Sequence, residues 1–172
     1  MSTCLLSGGW GLPDCRNTTG GIDTIYITNW SNVTSYDLDA SEIVTGITMS
    51  GSTKFYEYKP NKNSGQFTQT VTVSTENGTV GTEQTITLVT SKNEYEKRNL
   101  IKLLAQSEMI AIVLDRNGKY FLAGADFGLT LTNTSYDSGK LITDGNSWQL
   151  QLVGSEKFPA NEISASVVAS VI

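Results

Sequence analysis

Between Gln66 and Ser74 every second residue is Thr or Ser from Thr68 onward, and Phe67, Gln69, Val71 and Val73 stand between them. Successive side chains of a strand point to opposite faces, so this spacing predicts a strand with one hydroxyl-lined face and one mixed apolar face. Thr82–Thr90 repeats the alternation, setting Ile86 and Leu88 against Thr85, Thr87 and Val89. Asn77-Gly78 between the two segments predicts a hairpin turn, since both residues tolerate left-handed backbone.

The pattern then changes period. Leu100, Ile101, Leu103 and Leu104 recur at helical spacing, and Ser91-Lys92-Asn93-Glu94 has the form of a capping box, so a helix is predicted over Ser91–Ser107 with its leucines on the sheet. Met109–Leu114 is an unbroken apolar run too short for another helix and predicts a central strand covered on both faces. Ile22–Thr28 sets Ile22, Thr24 and Tyr26 against Asp23, Ile25 and Ile27, again a strand with two covered faces. Ile43–Met49 and Thr53–Tyr58 predict a hairpin around Ser50-Gly51-Ser52, and Asn117-Gly118 predicts the turn into Tyr120–Gly124. Gly128–Thr132, Ser147–Val153 and Glu162–Ala169 complete the set as strands. The expected fold is mainly β, a sandwich or barrel with one flanking α-helix, formed by residues 22–172 as a single domain. Residues 1–21, rich in Gly, Ser and Thr, read as an extended arm whose Leu5, Leu6, Trp10 and Leu12 suit docking on a surface.

Composition narrows the chemistry. A chain of 172 residues without a single His lacks the commonest general base, triad partner and metal ligand. Two cysteines, Cys4 and Cys15, cannot complete a zinc site, and Cys15 has Arg16 beside it but no His to activate it. Asp115, Asp126, Asp137 and Asp144 each stand within two residues of Gly, Asn or Ser, which reads as turn chemistry rather than a catalytic or calcium-binding set. Phosphate-binding glycine signatures are absent. The chain is therefore expected not to be an enzyme and to hold no cofactor or metal.

The net charge of −5 and the acidic pI near 4.7 disfavour direct binding of nucleic acid, while like charge would keep a polyanion from adhering to a wall. Met1–Trp10 has neither a basic start nor a long apolar run, and no stretch is long enough to cross a bilayer, so synthesis and assembly in a cytosol without membrane contact are expected. Cys4 and Cys15 would there be reduced thiols, and a disulfide between them is the alternative once the protein is exposed outside the cell.

Several of these segments carry a resemblance. Cys4-Leu5, Asp14-Cys15-Arg16, Gly20-Gly21-Ile22 and Thr24–Asn29, followed by Asp115–Tyr120, Ala123-Gly124, Gly128-Leu129, Asp137-Ser138-Gly139 and Asp144-Gly145, resemble the tail-tube-like virion proteins of bacteriophages, in particular those of crAss-like phages infecting Bacteroidetes. The resemblance spans nearly the whole chain but rests on turn residues and strand patterns. It implies a tail-tube-like fold and a tail-tube or neck ring protein that self-assembles, as a hexamer first and a dodecamer second, next to other tail, neck or portal proteins. DNA would pass through the lumen without specific binding, and the protein would reside in the virion after assembly in the bacterial cytoplasm. Tube subunits reach their neighbours through an arm and a long hairpin; by position these are Met1–Gly21 and Gln66–Thr90, with Leu5, Leu6, Trp10, Phe67, Val71, Val73, Asn77, Ile86 and Leu88 as contact residues. A type VI secretion-like tube subunit shares the fold. From the residues alone, a surface β-sandwich binding glycans through Trp10, Trp30 and Trp148 is the alternative of a different class.

Overall fold

A computed structural model describes residues 8–12 and 16–172. These residues are mainly β and form two sheets with two α-helices. The larger sheet contains β1 (Ile22–Asn29), β2 (Val33–Leu38), β3 (Val44–Met49), β4 (Tyr56–Tyr58), β7 (Met109–Asp115), β8 (Tyr120–Ala123) and β11 (Asn161–Ile163). Its strand order is β2-β3-β11-β8-β7-β1-β4. The smaller sheet has the order β5-β6-β10-β9, from β5 (Gln66–Ser74), β6 (Thr79–Ser91), β9 (Thr130–Asp137) and β10 (Ser147–Glu156). Helix α1 (Tyr95–Leu104) joins β6 to β7 and thus links the two sheets, and α2 (Ala165–Val171) ends the chain.

Strand β7 organises the packing. Met109, Ala111 and Val113 face the smaller sheet and share a core with Ile25 and Ile27 of β1, Leu129, and Ile86, Leu88, Leu150 and Leu152 of β6 and β10. Ile110 and Ile112 face the other way, into a second core with Val44, Phe55, Leu122 and Ile163 under Val167, Val168 and Val171 of α2. A continuous apolar strand needs two covered faces, and burying each such side chain contributes about 1.5–3 kcal/mol. In β1 a register shift between Ile22 and Thr24 turns Ile22 onto the same face as Ile25 and Ile27, so strict alternation does not assign its faces.

Four expectations are corrected. Ser91 belongs to β6, and its side chain is held by Asn61, whose Nδ2 donates to Oγ at 2.6 Å, so it caps nothing; α1 begins at Tyr95 after Glu94, which makes no side-chain cap bond. Within α1 it is Ile101 and Leu104 that pack on the core, whereas Leu100 and Leu103 are exposed. The segments β3 and β4 do not pair as a hairpin, since β3 lies between β2 and β11 while β4 pairs with β1. Buried Phe55, whose N–H donates to the Val171 carbonyl, draws the chain beneath α2 and across to the far edge. Finally, the strand expected over Glu162–Ala169 gives way at Ser164 to α2, whose Val167, Val168 and Val171 share one helical face.

Candidate functional site

The smaller sheet carries the feature that distinguishes this surface. Its registers place Phe67, Ile86, Leu88, Leu150 and Leu152 on the core side, so the alternate residues face outward. That outer face is made of Thr68, Thr70 and Thr72 from β5, Glu83, Thr85, Thr87 and Val89 from β6, and their neighbours Gln149, Gln151, Val153 and Ser155 from β10. Strand β9 adds Thr130, Asn133, Ser135 and Asp137. None of these residues is buried, so no element of the described chain covers the face. It contains two carboxylates, Glu83 and Asp137, and no Lys or Arg.

Both edges of this sheet are open among the described residues. β5 pairs only with β6 in unbroken register, and β9 pairs only with β10. An open edge offers unpaired N–H and C=O groups to another strand unless charge, Pro, shortness or a bulge blocks it. β5 spans nine residues without charge or Pro, and β9 has a charge only at its last residue, Asp137. The edges of the larger sheet are blunted by those devices: β4 has three residues with Glu57, Lys59 and Pro60 at hand, and β2 carries Asp37 and two register shifts against β3.

Beyond the core the β5–β6 hairpin continues as an overhang. Val73 pairs with Val80 and Val71 with Thr82, all on the core-facing side, yet Val71, Val73 and Val80 are each more than half exposed. Gln84 fixes the base of the overhang by donating to the Phe158 carbonyl and accepting from Gly124 N–H at 3.0 Å, while Gln69 accepts from Ala160 N–H at 2.6 Å.

The residues expected at subunit contacts fall into three groups. Leu5 and Leu6, with Cys4 and Cys15, lie outside the described residues. Trp10, Val71, Val73 and Asn77 are exposed and free to meet a neighbour, the hairpin closing through Thr75–Gly78 with Gly78 alone in left-handed backbone. Ile86 and Leu88 are in the core between the sheets, which corrects their assignment: contact with them would require opening the sandwich, and Phe67 is largely committed to the same core. Sequence reasoning missed Val80, and it missed β9 beyond Thr132, where Asn133–Asp137 shows no apolar alternation to detect.

The carboxylates hold loops. Asp115 Oδ1 accepts from Asn117 and Lys119 N–H, Asp137 from Gly139 N–H, and Asp144 Oδ2 from Lys140 and Leu141 N–H, which holds the Asp144 carboxyl below its ordinary value. Glu156 is buried and accepts from Asp126 and Phe127 N–H; burial pushes its pKa up, and those amides pull part of the way back. Asp126 accepts from the Tyr36 hydroxyl at 3.0 Å, and burial together with this bond pushes Tyr36 up to about 12. No group of His, Cys, Asp and Glu suited to a metal occurs among the described residues, and none of their helices is long and apolar enough to cross a membrane. Trp30 donates its indole N–H to the Ala125 carbonyl and Trp148 to Asn93, with the Trp148 ring 5.1 Å from Tyr136, so these two indoles serve separate packing sites.

The fold and this surface define a β-sandwich with one uncovered, cation-free sheet face flanked by two open edges. No family model matches the chain, and no curated protein matches it.

Proposed function

We propose that this chain is a structural virion protein of a bacteriophage, which self-assembles into rings that form a tail tube or neck conduit for DNA. The carrying observation is the outer face of the four-stranded sheet together with its two open edges. Pairing β5 of one copy with β9 of the next would remove both edges and close the sheets into one barrel. With strands about 4.8 Å apart and tilted about 40°, six four-stranded sheets give a barrel about 50 Å across at the backbone. Twelve would double that. The face turned to the lumen would then be mostly Thr, Gln, Ser and Asn, with Val89, Val153 and two carboxylates per copy, a wall that repels phosphates and offers no cation for them to bind. Neighbouring tail, neck or portal proteins would be the partners of such a ring in the virion.

Light-scattering mass across a concentration series, with negative-stain images of each peak, tests this reading. Open-centred rings are expected. A monodisperse monomer at every concentration, with no rings in the images, overturns self-driven closure.

A further inference from the structure

A cavity of about 520 Å³ opens between α1 and the two sheets. Its wall is apolar, built by Ile27, Leu88, Leu150 and Leu152 with Ile101 and Leu104 of α1, and Leu100 stands at the lining as an exposed residue. The cavity adjoins the short edge strand β4, where Glu57 pairs with Lys59, and the start of α1, where Glu94 pairs with Lys97. An open apolar cavity of this size is more than close packing requires and is in the range that holds aromatic and aliphatic side chains of a partner.

The same chain supplies groups of that chemistry. Trp10 is 99% exposed and Leu12 95% exposed, two residues apart on the arm. Residues 1–21 carry one Asp and one Arg, a sum of zero from −1 and +1, so their approach to an acidic body is not opposed by charge. The arm does not fill the cavity of its own body, since Trp10 and Leu12 are outside its lining, and its base is tied elsewhere. Thr19 N–H donates to Asn117 Oδ1, Asn117 Nδ2 donates to the Thr19 carbonyl, and Arg116 donates to the carbonyls of Gly20 and Gly21. These bonds lead the arm from β1 onto the β7–β8 turn, whereas the cavity lies on the β4 side of β1.

We propose that the cavity under α1 receives Trp10 and Leu12 from the arm of a second copy. The contact rests on the assembly reading for its partner and extends it by naming the receptor. It is separate from edge pairing: arm and cavity join copies through side chains, β5 and β9 through backbone.

The test uses the full chain. A fluorescein-labelled peptide of residues 7–13 is titrated by anisotropy into the Trp10→Ser variant, whose own arm no longer competes. Saturable binding is expected, weakened about tenfold by adding Leu100→Glu, an exposed substitution at the cavity lining that leaves the core intact. Absence of saturable binding, or equal binding by both proteins, overturns the assignment. Second, 19F spectra of 5-fluorotryptophan-labelled wild type follow the Trp10 resonance with concentration. A shift that grows with concentration and is lost in Leu100→Glu is expected, while a buried signal at every dilution would mean the arm fills its own cavity and would overturn docking on a second copy. Peptide binding without rings would leave the arm contact standing and remove the conduit reading; rings that form equally well in Trp10→Ser would do the reverse.

Discussion

Gly154 sits near the end of β10 on the core-facing side, where a Cβ would lie 2.6 Å from the Gly128 carbonyl oxygen and 2.7 Å from a Leu129 methyl. That absence of a side chain lets the Gly124–Leu129 loop, which bonds to Met109 through Leu129, close over the end of the sandwich. Gly154→Ala is therefore expected to cost about 1–3 kcal/mol in urea unfolding, because the atom in the way is backbone; an unchanged midpoint would show that the loop shifts freely. Glu156 closes the same end and makes a pH prediction. Its folded pKa is raised from 4.5, so folding favours its protonated form; its contribution is most favourable below that value and declines as pH rises through the folded pKa. Glu156→Gln should flatten this part of the pH profile, at the cost of one backbone bond, since an amide nitrogen cannot accept from Asp126 N–H. Parallel urea-midpoint profiles for wild type and variant from pH 4.5 upward would refute the role assigned to Glu156. Asp144 differs: a single oxygen accepts both amides, so Asp144→Asn keeps both bonds and should leave fold and assembly intact.

At the scale of elements, α1 shows what periodicity alone resolves and what it does not. Four apolar residues in five positions marked a helix and its buried side, but which leucines meet the sheet depends on how the helix is rotated at the flank of the sandwich. Leu104 packs on the core and Leu103 is 62% exposed, so Leu104→Ala should lose about 2 kcal/mol and Leu103→Ala less than about 0.5 kcal/mol in the same unfolding assay. Equal losses would mean the helix is rotated from the position described. The strong elements were readable because burial leaves a local imprint: β7 as an unbroken apolar run, β5 and β6 as alternation, Asn117-Gly118 as a turn with Gly118 in left-handed backbone. The rest depended on residues distant in sequence. Ser91 is held in β6 by Asn61 instead of capping α1, Phe55 broke the expected β3–β4 hairpin by seating under α2, and the Val-rich stretch of α2 is β-branched enough to pass for a strand until Ile110 and Ile112 present it with a face to cover. The candidate surface was half legible. The Thr ladder of β5 announced a wetted face, but only the sheet order showed that β5 and β9 are its edges and that Ile86 and Leu88 are spent on the core.

At the scale of the whole molecule, the distribution of charge suits the proposed conduit better than a nucleic-acid binder. The body is acidic, and the outer face of the smaller sheet has carboxylates without cations, although Lys and Arg occur elsewhere on the chain. If this face lines a lumen, its neutrality toward DNA is a property of position and can be reversed without touching the interfaces. Thr87 and Gln151 stand opposite each other on adjacent strands β6 and β10, half-buried on the outward side and away from both edges. Thr87→Lys with Gln151→Lys would place two ammonium groups per copy on the wall, repeated around every ring. Assembled rings of the double variant are expected to retain duplex DNA in gel-shift and sedimentation assays, with retention falling steeply as salt rises, whereas wild-type rings retain none. The variant should reach the same ring mass as wild type, because β5 and β9 are unchanged. Loss of rings would place Thr87 or Gln151 in a subunit contact instead. Normal rings that still ignore DNA at low salt would place this face on the outside of the assembly, and the lumen would then have to be sought among the loops at the ends of the sandwich.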